Sequence, residues 1–138
     1  MTDLYDELWT QREAVKQAAA RGGDILITGL GLGLVTEAIF RSAPAVNSVT
    51  VVEYSEDVIS LVGPYLEKQF GKRLRIVHGS AFNWRTRRHY TVGWHDIWPD
   101  PYGGVVERQV ARIEKRFSRW CDWQGSWPTA YLRDVKAA

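Results

Sequence analysis

Three alternate glycines, Gly29, Gly31 and Gly33, interrupt the stretch DILITGLGLGLVTEAIF (residues 24–40), and Glu53 follows the last of them by twenty residues. The stretch opens as an apolar run and leaves as a helix, so the glycines occupy a strand–turn–helix junction. A side chain at such a turn holds a ligand away, whereas glycine allows positive φ and close approach to the backbone. The following helix presents unpaired N–H groups and its positive dipole end, which suits a ligand bearing a carboxylate or phosphate. The dinucleotide fingerprint G-x-G-x-x-G would put its last glycine at position 34, which is Leu34. The pattern G-x-G-x-G therefore departs from an NAD site. Glu53 closes the strand TVVE, where a carboxylate can accept hydrogen bonds from both ribose hydroxyls. Two phosphates would be poorly served beside it; a nucleoside carrying an amino acid would be well served. The alternatives are a ligand-free packing turn and a solvated strand end.

The elements that must position these residues follow from periodicity. Leu4, Leu8, Gln11, Val15 and Ala18 recur at 4-3-4-3 spacing, predicting a helix over residues 3–20 that the glycines of RGGD stop. ILIT (25–28) reads as a strand buried on both faces, and residues 34–41 as a helix. SVTVVEY (48–54) is a β-branched strand, followed by a helix capped at Ser55 and kinked or divided at Pro64. RLRIVHG (73–79) is a third strand and the segment around 90–96 a fourth. GGVVERQVARIEKRFSRW is a long helix, after which CDWQGSWPTAYLRDV reads as irregular, with room for a short last strand. Strands alternating with helices predict an α/β fold: a Rossmann-like parallel sheet of about four strands flanked by helices. One domain is expected over 1–138, with an N-terminal helix (1–23), a βαβ core (24–104) and a basic, aromatic helix and tail (105–138).

Composition narrows the class. Of the 138 residues, 45% are hydrophobic and 25% charged, an ordinary globular profile with a core. A net charge of +2 does not by itself argue for nucleic acid. One cysteine, Cys121, excludes an internal disulfide and a Cys-rich metal site, and no His/Cys/Asp spacing supports a metal. No apolar run reaches membrane-spanning length, and the acidic start MTDLYDELW lacks a signal-peptide layout, so a cytoplasmic location is expected.

The glycine turn, Glu53, HGSAFNW and HDIWPDPY stand in the order of motifs I to IV of class I S-adenosylmethionine-dependent methyltransferases, and residues 9–104 resemble that family. ILITGLGLG is most similar to the spermidine-synthase-like branch, with apolar Ile27 two residues before the first glycine. HDIWPDPY is also similar to a segment of guanidinoacetate methyltransferases. WQGSW resembles short methyltransferase-like proteins of bacteriophages, which would place the chain in a host bacterial cytoplasm. The resemblance implies S-adenosylmethionine as cofactor and a small molecule or nucleic acid as methyl acceptor. It implies that Gly29, Gly31 and Gly33 pack against the cofactor's methionine part and ribose, that Glu53 binds the ribose hydroxyls, and that Tyr54 stacks on adenine. Ser80 stands where the family usually has Asp and would accept from the adenine amino group; Ala81 and Phe82 adjoin it. Asp96 would face the methyl group or the cofactor's ammonium. Asp96, His95 and Asp100 are the candidates for taking the nucleophile's proton. The bland readings are a turn cap for Asp96 and a packed or solvated ring for His95. An aminopropyltransferase, with Asp96 and Asp100 as its acid pair, and a cofactor-binding module without turnover also stay open. The DPY of residues 100–102 is similar to a DNA amino-methyltransferase motif but lacks one proline.

Two features lie outside those motifs. Arg108, Arg112, Lys115 and Arg119 form a basic stripe beside an apolar one, read as a solvated face or a phosphate-binding surface that KRLR (72–75) and RTRR (85–88) extend. No late antiparallel strand pair fits after residue 121. A sheet edge is then left for Trp120, Trp123, Trp127 and Tyr131 to cover, within the subunit or in a homodimer, the latter being the expectation.

Overall fold

Apolar runs with β-branched residues build a parallel sheet in the order β3-β2-β1-β4-β5. The strands are β1 (Gly23–Thr28), β2 (Val46–Glu53), β3 (Leu74–His78), β4 (Tyr90–His95) and β5 (Cys121–Ser126). The structure is a computed structural model and describes residues 8–137; Leu4 and the acidic first residues lie outside them. Among the described residues, helices α1 (Arg12–Arg21), α2 (Leu34–Ser42), α3 (Glu56–Phe70), α4 (Gly104–Phe117) and α5 (Trp127–Ala137) connect and flank the strands. Every strand pair is parallel, so each connection between neighbouring strands crosses over a face of the sheet.

The period of two sorts the strand residues onto two faces. Ile25, Ile27, Val49, Val51, Val92 and Trp94 join a core with Ala14 and Ala18 of α1, Ile39 of α2, Leu66 of α3 and Ala130 of α5. Leu26 and Val52 point the other way and meet Val110, Ile113 and Phe117 of α4. Gln11, placed by spacing in the buried stripe of a helix over 3–20, is instead the turn residue just before α1; it is buried, and its amide oxygen accepts from the Trp94 indole N–H at 3.0 Å. No described helix is long and apolar enough to cross a membrane.

Two expectations need correction. Pro64 does not divide α3, which runs unbroken from Glu56 to Phe70 behind the Ser55 cap, whose hydroxyl accepts from the Val58 N–H. Ser60, whose carbonyl loses its helical donor to Pro64, is exposed, so water can take the bond. The sheet has five strands, and the tail is ordered: residues 121–126 pair in parallel with β4, and 127–137 form α5. The aromatic residues of that tail pack on their own chain. Trp123 stacks on Trp94 with ring centroids 6.3 Å apart, Trp127 donates to the Thr10 hydroxyl, and Tyr131 packs against Trp127. All three are half-buried against their own chain, which is the covering of the sheet edge within the subunit.

Candidate functional site

The sheet reverses its winding between β1 and β4, and there the carboxyl ends of neighbouring strands leave a crevice. A cavity of about 710 Å³ opens at this point, within the usual size of a small-molecule site. Gly29 and Gly31 after β1, Glu53 and Tyr54 at the end of β2, Ser80 to Phe82 after β3 and Asp96 after β4 all line it. These expected residues come from four segments as much as 67 positions apart (Gly29 to Asp96), and the parallel sheet brings them together.

The three glycines serve three different purposes. All have positive φ, at +99°, +52° and +79° for Gly29, Gly31 and Gly33. A methyl group built on Gly29 would overlap the Asp96 carbonyl, so Gly29 lets β4's exit cross the turn. On Gly33 it would lie 2.8 Å from Leu66 Cδ1 and 2.9 Å from Val62 Cγ1, so Gly33 lets α2 close against α3. Gly33 lies outside the cavity lining. On Gly31 a methyl would meet nothing within 4 Å. Gly31 is the one whose missing side chain leaves open room in the crevice.

Glu53 holds the turn in place. Its Oε1 accepts from the Leu30 N–H and its Oε2 from the Ser55 N–H, each at 2.8 Å. The carboxylate thus bridges the glycine turn to the start of α3, and each oxygen keeps acceptor capacity for a further donor. Tyr54, at the rim, is 78% exposed, a ring available for stacking. The Ser80 hydroxyl accepts from the Phe82 N–H at 3.2 Å, which fixes the 80–82 turn. The Ala81 carbonyl, facing away from these groups, accepts from Arg116 of α4.

Of the three candidates for proton transfer, only Asp96 lines the cavity. Its backbone N–H donates to the Thr28 carbonyl at 2.8 Å, extending the β1–β4 ladder to the crevice. His95 is fully buried one residue earlier, on the α4 face, stacked on Phe117. Its Nδ1 meets the Thr28 hydroxyl at 2.9 Å and its Nε2 meets Gln124 Oε1 at 2.8 Å. Gln124 Nε2 donates to the Glu114 carbonyl, so Oε1 must accept; Nε2 of His95 then carries the hydrogen and Nδ1 accepts. Burial pushes this histidine down to about 4, against the Gln124 bond that favours its charged form. His95 thus ties β1 to β5 and does not line the crevice. Asp100 is exposed and outside the cavity lining, and its carboxylate accepts from the Tyr102 N–H.

Val52, Gly79, Ile97, Trp98 and Pro99 complete the wall and were not anticipated. Trp98 is buried, its indole N–H donating to Gln109 of α4 at 2.9 Å. The aromatic–proline pair after Asp96 was the available signal. Cys121 sits at the amino end of β5, away from the crevice, and burial followed by the Asp122 charge pushes its thiol up to about 12. Among the described residues, no His/Cys/Asp/Glu cluster could hold a metal ion.

No protein-family model matches the chain, and no curated protein matches it. Solved structures do. A candidate RNA methyltransferase from Pyrococcus horikoshii superposes with a TM-score of 0.63 at 13% identity, covering 86% of this chain and 54% of its own. An S-adenosylmethionine-dependent methyltransferase from Clostridium acetobutylicum gives 0.60 at 16%, covering 83% and 46%. A candidate methyltransferase from Thermoplasma acidophilum gives 0.55 at 25%, covering 69% and 39%. The chain therefore spans about two-fifths to just over half the length of these proteins, and what it shares with them is the Rossmann-like methyltransferase fold.

Proposed function

We propose that the chain binds S-adenosylmethionine in the crevice between β1 and β4 and directs its methyl group to an acceptor. The carrying observation is one cavity that joins the open face of Gly31, the doubly anchored carboxylate of Glu53 and Asp96 at the switch point. The bound cofactor supplies a methyl group already activated on a sulfonium. The protein's tasks are then to bind, align and exclude water. Gly31 leaves room for the ligand against the backbone. Glu53 uses its remaining acceptor capacity for the ribose hydroxyls, Tyr54 offers a ring to adenine, and Ser80 and Ala81 stand where its edge is read. Asp96 faces the reacting end, as counter-charge to an ammonium or as acceptor of the nucleophile's proton.

The polyamine-synthase alternative loses its acid pair, because Asp100 is outside the cavity. Ile27, the residue most similar to that branch, is buried in the core and offers the crevice nothing. A module that binds the cofactor without turnover shares every binding residue named and differs only in methyl transfer.

Thermal unfolding in the presence of ligands tests this reading. S-adenosylmethionine or S-adenosylhomocysteine at one hundred times its Kd should stabilise the fold by about 2.7 kcal/mol, and NAD should not. Equal stabilisation by NAD, or none by either adenosyl compound, would remove the assignment. Release of labelled methyl product separates the enzyme from the binding module.

A further inference from the structure

A second concavity lies behind the wall of the crevice and shares no lining residue with it. The crossover from β3 to β4, residues 79–89, carries no helix, and its backbone is held by α4 instead. Arg116 donates to the carbonyls of Ala81 and Trp84 at 2.6 and 2.9 Å, doing for this loop what helical N–H groups would otherwise do. A groove of about 470 Å³ results, walled by Trp84, Trp120 and Arg116 and rimmed by exposed Arg85 and Arg87.

The charges here are uncompensated. Arg12, Arg41, Arg88 and Arg133 each meet a carboxylate. Arg85, Arg87, Arg112, Arg116 and Arg119 cluster on or beside this groove with no carboxylate within ion-pair distance among the described residues; Arg21, Arg73, Arg75 and Arg108 also lack one, so it is the clustering that sets the groove apart. Arg112, Arg116 and Arg119 lie over the rings of Phe82, Phe117 and Trp120 at 5.1, 5.2 and 5.3 Å. Burial, then repulsion from Arg112 and Arg85, lowers the Arg116 pKa.

We propose that this groove binds single-stranded nucleic acid, with phosphates on Arg85 and Arg87 and an unstacked base against the half-buried indoles of Trp84 and Trp120. Arginines alternating with recessed rings are what a strand with free bases requires. A duplex keeps its bases stacked and would leave the recessed rings unused. An acidic peptide or a lipid surface would use the charges alone. None of the residues proposed to touch the strand lines the crevice, so the inference does not depend on the cofactor assignment.

The test is fluorescence anisotropy of a labelled short oligouridylate titrated with the intact chain at several salt concentrations. Binding should saturate and weaken with salt. Arg85→Ala/Arg87→Ala should lower affinity at least tenfold and reduce the salt slope by about 1.4, roughly 0.7 for each lost phosphate contact. Both residues are exposed at the groove rim, and circular dichroism checks that the variant folds. Lys16→Ala/Lys68→Ala, which removes the same charge from exposed positions outside the basic runs, should leave the affinity nearly unchanged. Absence of binding at low salt, equal loss in the lysine variant, tighter binding of a duplex of the same length, or equal competition by polyglutamate would each overturn the proposal. Calorimetry with S-adenosylmethionine on the arginine variant should match the wild type. If the wild type itself binds no cofactor while it binds the oligonucleotide, the function proposed above fails and the groove stands.

Discussion

Gly29, Gly31 and Gly33 share a residue type and a sign of φ, yet their neighbours give them different consequences. Gly31→Ala has space around it and should lose only the cost of a left-handed backbone, about 1–2 kcal/mol, while its methyl intrudes on the crevice. Gly29→Ala meets the Asp96 backbone, which has no soft rotamer to yield, and should cost more than about 4 kcal/mol. Urea denaturation of both variants checks the order; equal costs would mean that the turn relaxes as a unit. Glu53→Gln keeps size and shape but opposes an amide N–H₂ to one of the two backbone donors, Leu30 or Ser55. It should lose roughly 1–3 kcal/mol of stability before any effect on ligand binding. Unchanged denaturation would show that the carboxylate does not tie the turn. The glycine spacing and Glu53 were legible because strand, turn and helix are local. The reason for Gly29 and Gly33 was not, since each depends on residues that only the sheet and helix packing bring near.

At the level of elements, Thr28 of β1, His95 of β4, Gln124 of β5 and the Glu114 carbonyl of α4 form one hydrogen-bonded chain through the core. It fixes the strand that delivers Asp96. His95 is neutral in the fold, held at about 4 against an ordinary 6.5. Below 6.5 the unfolded chain takes up a proton that the folded chain refuses until about 4. Its contribution is therefore complete above pH 6.5 and is lost as pH falls towards 4, on the order of 3 kcal/mol. Urea midpoints across this range should fall less steeply in His95→Gln than in the wild type; parallel curves would place the titration elsewhere. Strands β1 to β3 were readable from apolar runs. CDWQGS was only a tentative short strand because Asp, Gln, Gly and Ser favour loops, and pairing with β4 overrides that preference. Pro64 misled for a related reason: its fixed φ suits a helix, and the carbonyl it frees belongs to an exposed residue.

For the molecule as a whole, the tryptophan-rich tail closes the fold from within. Trp123→Ala removes the ring stacked on Trp94 and should cost on the order of 2–3 kcal/mol, less than a fully buried tryptophan. Its unfolding midpoint should not depend on protein concentration; a midpoint that rises with concentration would put the ring in a subunit interface. The count of tryptophans was legible, but which surface they cover depends on a strand and a helix that composition did not announce. The β1–β4 crevice is where fold and chemistry meet, and calorimetric titration of the intact chain tests it most directly. S-adenosylmethionine and S-adenosylhomocysteine should each bind at one site, NAD should give no binding heat, and Gly31→Ala, still folded, should lose both interactions. No binding of either adenosyl compound, or undiminished binding in Gly31→Ala, would contradict the assignment of this crevice.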